Sequence, residues 1–204
     1  MSTIQAERAR SKRGEPTWEI AQFFPAQGDW SEEEYLELDT NRLVEFTDGC
    51  LEVLPMPTDL HQWIVFYLCR ALTDFAEAGR LGTVRLAALR VRLGPGIFRE
   101  PDVVFMLAEH AARVGQNYWE GADLVMEVVS PGGRGRDLVL KRREYAAAGI
   151  PEYWIVDPKR EQITVLRLEG VRYVVHGRYK RGERALSALL KGFAVDVTAA
   201  FTAK

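Results

Sequence analysis

The segment Leu124–Asp157, LVMEVVSPGGRGRDLVLKRREYAAAGIPEYWIVD, places a helical stretch between two apolar runs. The first run predicts a strand buried on both faces, and the final run EYWIVD predicts a second strand. Between them, residues 135–148 have a helical pattern that ends at Gly149 and Pro151. One charged side chain, Glu127, interrupts the first run. An ionised carboxylate buried without a partner costs several kcal/mol, so Glu127 needs a basic partner, a proton or a metal ion.

A second carboxylate, Asp102, is also associated with an apolar strand, because it follows Pro101 and begins the apolar run DVVFML. If the two strands are neighbours, their carboxylates repel each other unless a cation lies between them. Mg²⁺ suits such a site, since it accepts one or two carboxylates, waters and substrate phosphates. The alternative is a salt bridge from Glu127 to an arginine of the segment RLAALRVRL.

The remaining patterns predict a mixture of strands and helices. SEEEYLELD begins with Ser31 and has Glu34 three residues later, a capping box that predicts a short helix. LVEFTDGCLEVLPMP predicts a hairpin that turns at Asp48-Gly49, and residues 58–79 predict the longest helix. TVRLAALRVRLG is expected to form one strand, QITVLRLEG and VRYVVHGRY two more, and the tail FAVDVTAAF to pack against the body. This order predicts an α/β or α+β domain around a mixed central sheet.

Composition excludes several classes of protein. The chain has 204 residues and a net charge of −2, so it is not basic overall like many nucleic-acid-binding proteins. Cys50 and Cys69 form neither a disulfide framework nor a metal motif, which favours a cytoplasmic protein. No apolar run reaches the ~18 residues of a membrane span, so no membrane partner is expected. Residues 1–16 lack the apolar core of a signal peptide and are expected to form a flexible arm before a single domain, residues 17–204.

The helix between the two strands carries polar residues on one face. Asp137, Lys141 and Tyr145 are spaced i, i+4 and i+8. A lysine there could reach back over the end of the strand that carries Glu127, although Asp137 and Lys141 could equally form an ordinary surface ion pair. Arginines near this helix could contact a phosphate backbone despite the net negative charge: Arg134, Arg136, Arg142 and Arg143.

The motifs EPDVVFM, DLVMEVVSP and RDLVLKRREYAAAGIPEYWIVDP together resemble the Uma-type restriction endonuclease family, a branch of the PD-(D/E)xK nuclease superfamily. The resemblance runs from about Ser31 to the C-terminus and includes the hairpin and His61 at the start of the long helix. It implies the restriction-endonuclease-like fold, in which an N-terminal helix and a β-hairpin precede a mixed central sheet flanked by helices. It also implies a homodimeric, Mg²⁺-dependent endonuclease that hydrolyses phosphodiester bonds of nucleic acid, expected to be DNA, with Mn²⁺ as a substitute ion.

The resemblance carries over to particular residues. Asp102 matches the Asp of the PD motif, and Glu127 matches the acidic residue of the (D/E)xK motif. The sequence departs from the pattern two residues later, where Val129 stands in place of the motif lysine. The superfamily can relocate that lysine to a neighbouring helix, and Lys141 is then the candidate. Glu45, in the first strand of the hairpin, resembles the upstream acidic residue that often joins Asp102 and Glu127 at the metal.

Other residues are expected to support the site. Asp137 could position Lys141, Tyr145 and Arg136 could contact phosphate or the site residues, and His61 could approach the metal or cap its helix. Two alternatives stay open: a catalytically inactive nucleic-acid- or protein-binding module of the same fold, and a metal-dependent phosphohydrolase of small nucleotides. A Lys141 amine within about 4 Å of the Glu127 carboxylate favours the enzyme over the module. A closed pocket favours small nucleotides, whereas an open groove favours a polymer.

Overall fold

A computed structural model of the protein describes residues 23–130 and 139–202. Four α-helices are described: α1 (Glu32–Leu36), α2 (Asp59–Gly79), α3 (Lys141–Ala147) and α4 (Val197–Ala200), and a 3₁₀ helix covers Ala108–Arg113. The strands are β1 (Val44–Thr47), β2 (Cys50–Val53), β3 (Gly82–Leu86), β4 (Arg90–Gly94), β5 (Ile97–Arg99), β6 (Val103–Leu107), β7 (Tyr118–Glu120), β8 (Leu124–Val128), β9 (Glu152–Asp157), β10 (Gln162–Glu169), β11 (Arg172–Lys180), β12 (Arg184–Leu186) and β13 (Ala194–Asp196). The predicted arm, residues 1–16, and residues 135–138 of the predicted helix lie outside the described residues.

The central sheet has six strands in the order β11-β10-β9-β8-β6-β3. β8 and β9 are parallel and all other neighbours are antiparallel, so the predicted mixed sheet is confirmed. α2 packs on one face, where Leu68 and Met126 share a core cluster. The other face buries Val125 and Tyr153 against Tyr145 of α3. Alternate residues of β8 thus enter two different cores, as expected for a strand buried on both faces.

The N-terminal part forms a second, smaller sheet, β2-β1-β5-β4-β7. The β1–β2 hairpin turns at Asp48 and Gly49, which both have positive φ (46° and 80°), as the Asp-Gly signal predicts. The capping box of α1 is also confirmed, because Ser31 and Glu34 hydrogen-bond reciprocally. No helix in the described part of the chain is apolar over a stretch long enough to cross a bilayer.

The prediction of a single strand for TVRLAALRVRLG is wrong. The segment forms β3, which pairs with β6 in the central sheet, and β4, which pairs with β5 and β7 in the second sheet. Val84 accordingly packs in the core beneath α2, whereas Val91 packs in the core beneath α3. A period of two along the sequence gives no information about a change of pairing partner, so the alternation alone could not reveal the break.

The tail packs against the body as predicted, and a buried carboxylate fixes the segment that precedes it. Glu152 is fully buried at the start of β9 and accepts four hydrogen bonds. The donors are Trp154 Nε1 at 2.5 Å, Ser187 Oγ at 2.7 Å, and the backbone N–H groups of Ala188 and Leu189, both at 2.6 Å. Glu152 therefore joins the central sheet to the chain between β12 and β13.

Replacing this carboxylate should destabilise the fold without touching the groove described below. We expect Glu152→Ala to lower the free energy of unfolding by about 3 kcal/mol, because one buried and three half-buried donors lose their acceptor. Glu77→Ala, at an exposed position of α2, should change it by less than about 0.5 kcal/mol. Chemical denaturation measures both. Equal effects of the two substitutions would contradict this role of Glu152.

Candidate active site

The strand register brings the two motif carboxylates together. Val103 of β6 pairs with Met126 of β8, so Asp102 and Glu127 lie opposite each other, one residue further along these antiparallel strands. The backbone N–H of Val128 donates to Asp102 Oδ2 at 2.7 Å. Both carboxylates line a groove of about 890 Å³, and their side chains are only 13% and 5% exposed. The strand register thus places Asp102 and Glu127 opposite each other at one groove, which is where neighbouring strands were expected to bring them.

Lys141, the first residue of α3, lies between two buried carboxylates. Its Nζ is 2.8 Å from Glu127 Oε1 and 2.9 Å from Glu45 Oε1, well within the 4 Å expected of a relocated lysine. The side chain is 3% exposed, yet it lines the groove. Val129, at the position of the motif lysine, packs instead in the apolar cluster that contains Tyr145. The helix therefore supplies the ammonium group that β8 lacks.

Tyr145, one helical turn after Lys141, hydrogen-bonds the carboxylate of Glu127 as well. Its hydroxyl donates to Glu127 Oε1 at 2.5 Å, and the side chain is fully buried. Burial, and next the negative charge of Glu127, raise the pKa of Tyr145 well above its ordinary value, so the hydroxyl is a neutral donor. Tyr145 is not one of the residues that line the groove. Its position fits support of Glu127 rather than contact with phosphate.

His61 reaches Asp102 from the first turn of α2. The Thr58 hydroxyl accepts the backbone N–H of His61, which fixes the start of the helix. Nε2 of the imidazole is 3.3 Å from Asp102 Oδ2. Burial lowers the pKa of His61, but the hydrogen bond and charge of Asp102 outweigh burial and raise it above its ordinary value. The predicted approach of His61 to the site is present.

An arginine and glutamate pair that the sequence did not single out anchors α3. Arg99 of β5 is 3% exposed and binds both carboxylate oxygens of Glu144, at 2.9 and 2.6 Å. Its Nε also lies 3.8 Å from Glu45 Oε2, and its Nη1 donates to the carbonyls of Phe46 and Phe98. This pair joins the second sheet to the helix that carries Lys141 and Tyr145. The partners are 45 residues apart, so no local pattern could identify them.

Glu100 is a further acidic side chain that lines the groove, beside Asp102 and Glu127. It is 5% exposed, accepts the backbone N–H of Val44 at 3.1 Å and lies 3.8 Å from Nε of Arg90. Burial raises the pKa of Glu100 to about 7. The only sequence signal for Glu100 is its place just before the Pro-Asp motif.

The acidic side chains of the site can be considered as ligands for a metal ion. Among the described residues, no three His, Cys, Asp or Glu side chains converge as a ready-made metal site. Glu45 Oε1 is bound by Lys141, which gives no support to the expectation of Glu45 as a third ligand. Asp102 and Glu127 nevertheless offer two carboxylates on the floor of a groove. That set fits Mg²⁺, which takes one or two carboxylates and completes its shell with waters and phosphate oxygens.

The predicted basic cluster receives little support from the described residues. Arg142 Nη2 donates to the carbonyl of Tyr173 on β11 at 2.8 Å, which ties Arg142 to the central sheet. Arg143 is exposed. Asp137, Arg134 and Arg136 fall outside the described residues.

Comparison with known proteins gives the family and the fold of the chain. A search of curated proteins finds no match. Among solved structures, a crystal structure titled as “a putative nuclease belonging to DUF820” from Anabaena variabilis matches with a TM-score of 0.68 and 18% identity, covering 83% of this chain and 96% of that one. This likeness concerns the fold, and it confirms the restriction-endonuclease-like fold expected from the sequence. The profile of the Uma2 family matches residues 32–198, and the chain therefore belongs to that family, described as “Putative restriction endonuclease”.

Proposed function

We propose that the protein is a Mg²⁺-dependent nuclease that hydrolyses phosphodiester bonds of nucleic acid, with DNA as the expected substrate and Mn²⁺ as a substitute ion. The observation that carries the proposal is the position of Lys141. Its Nζ lies 2.8 Å from Glu127, and the strand register puts Asp102 opposite Glu127. An aspartate, a glutamate and a lysine thus meet at one groove, although the lysine comes from a helix rather than from the strand motif.

Each residue has a role that follows from its contacts. Asp102 and Glu127 would hold Mg²⁺, which when bound polarises the phosphate and lowers the pKa of a water ligand. Lys141 places a positive charge at the groove floor, where it can orient the attacking water and offset the charge that develops on the phosphate. Tyr145 and Lys141 both donate to Glu127 Oε1, which fixes the orientation of that carboxylate. His61 does the same for Asp102.

The alternative of an inactive binding module is less well supported by this geometry. Lys141, Glu45 and Glu127 are each at most 5% exposed, and desolvating such charges costs more than an apolar replacement would. A module that only binds gains nothing from this arrangement, whereas catalysis needs charge at the groove floor. Homodimerisation is a separate proposal, made by analogy with nucleases that cut two strands, and sedimentation measurements test it.

The proposal is tested by incubating plasmid and single-stranded DNA with the protein in Mg²⁺, Mn²⁺ or EDTA. We expect metal-dependent cutting by the wild type and none above background by Asp102→Asn or Lys141→Met. Asp74→Asn, on the exposed side of α2, serves as a matched control and should cut normally. Cutting that survives Asp102→Asn would come from a contaminant and would remove the support for this site.

Loss of the Tyr145 hydroxyl should weaken the site without removing it. We expect Tyr145→Phe to reduce cutting about 10- to 100-fold, because partners that orient a metal-binding carboxylate affect metal affinity and activity to that extent. The metal concentration for half-maximal cutting should rise. Tyr67→Phe, at a residue of α2 that does not line the groove, is the control and should behave like wild type. An unchanged metal requirement in Tyr145→Phe would show that Glu127 is oriented without it.

A further inference from the structure

The groove above the candidate active site has an apolar wall. We use this term for four groove-lining side chains that are 38–68% exposed: Met56, Leu60, Phe66 and Leu86. They come from the segment after β2, from α2 and from the end of β3. Large apolar side chains left this exposed around one concave site usually mark a binding surface.

The part of the groove lining that the structure describes offers few positive charges to a phosphate backbone. Among the described residues that line the groove, Lys159 is the only exposed lysine or arginine, because Lys141 is buried between two carboxylates. Proteins that hold a duplex through its phosphates use several lysine or arginine contacts. The wall also includes an aromatic ring, Phe66, and Gln62 lies one helical turn before it on the same side of α2. A ring to stack on and an amide to hydrogen-bond are the groups that recognise an unstacked base.

We propose that the apolar wall seats an unstacked nucleobase beside the scissile phosphate, so that the substrate is single-stranded or locally opened nucleic acid. This inference rests on the proposed nuclease function and specifies its substrate class. The base lies against Phe66 and Met56, and Gln62 is placed to contact its polar edge. The attached phosphate then points to the groove floor, where Asp102, Glu127 and Lys141 lie. A continuous duplex keeps its bases stacked inside and cannot present one to the wall.

The test measures binding apart from cutting. The probes are a short DNA strand with one 2-aminopurine and the same strand in a duplex, each titrated with protein in Ca²⁺ at fixed salt. We expect the single strand to bind at least about tenfold more tightly than the duplex. Phe66→Ala should weaken single-strand binding about tenfold and abolish the change in 2-aminopurine emission, as expected when one stacking partner is lost. The matched control, Phe23→Ala, removes an 83% exposed ring that does not line the groove and should bind as wild type.

Several results of these binding measurements would overturn the inference. If the duplex bound as tightly as the single strand or more tightly, the groove would not select an unstacked base. If the Phe66→Ala and Phe23→Ala variants behaved alike, no base would stack on Phe66. Competition by dAMP as strong as by the strand assigns the groove to small nucleotides. A dimer of the wild type that Phe66→Ala converts to a monomer assigns the wall to a second copy of the chain. Absence of metal-dependent cutting with the Phe66 effect intact would overturn the nuclease proposal and leave this binding inference standing.

Discussion

Lys141→Met should abolish cutting and also destabilise the protein. The substitution keeps the length of the side chain but removes the ammonium that joins Glu45 and Glu127, which are 1% and 5% exposed. Removing one partner from a buried ion pair costs about 3 to 5 kcal/mol, and we expect a loss of unfolding free energy in that range. The cutting rate should fall at least about a hundredfold, as when one preorganised positive group is lost from an active site.

A second substitution separates these two effects. Glu45→Gln combined with Lys141→Met removes a negative charge together with the positive one, so we expect it to recover roughly half of the lost stability. The double variant should remain inactive, because nothing replaces the ammonium at Glu127. Denaturant titrations of the wild type, the two single variants and the double variant give the coupling energy between Glu45 and Lys141, and plasmid cleavage gives the activity.

Lys191→Met, at an exposed position, is the matched control and should leave both stability and cutting unchanged. If the double variant recovered stability and also cut DNA, Lys141 would have only a structural role. If Lys141→Met alone were as stable as the control, the two carboxylates would not depend on this lysine.

The sequence predicts the part of the site that local patterns encode. The apolar run around Glu127, the helix that carries Lys141 and the second strand are strong local signals, and the structure pairs the two strands in parallel, which needs such a connection between them. The reach of Lys141 to Glu127 could be expected because a lysine in the first turns of the predicted helix, residues 135–148, can reach back over the end of the preceding strand. The long helix, with His61 in its first turn, is equally local, since its apolar spacing extends over five turns.

The remaining features depend on pairings between distant segments. The ion pair of Arg99 with Glu144 joins residues 45 positions apart, and neither has a local neighbour that indicates burial. The division of one alternating run into β3 and β4 depends on which sheet each half joins. Glu45 could be placed near the site, but its side chain contacts Lys141, and sequence alone could not distinguish this from a contact with metal. The apolar wall could not be predicted either, because its members come from three separate elements.

Asp102→Asn should remove metal binding while leaving the fold nearly intact. An asparagine at this position can still accept the backbone N–H of Val128 through its amide oxygen, which Asp102 Oδ2 accepts at 2.7 Å. The substitution also removes a negative charge opposite Glu127, so without added metal we expect the free energy of unfolding to change by less than about 1 kcal/mol. The cutting rate should fall at least about a hundredfold, because metal-bound charge stabilisation is worth several kcal/mol and each 1.4 kcal/mol is a factor of ten.

A thermal melt with and without Mn²⁺ tests the ligand role of Asp102 independently of any substrate. An ion that binds only the folded wild type at 100 times its Kd adds about 2.7 kcal/mol of stability, so the melting temperature should rise with Mn²⁺ concentration. The Asp102→Asn variant should show no such rise, whereas the Asp74→Asn control should show the full rise. If Asp102→Asn kept the shift but lost cutting, Asp102 would act on the substrate rather than on the metal. If the wild type showed no shift either, the two carboxylates would bind no ion in the free protein, and metal could enter only together with the phosphate of the substrate.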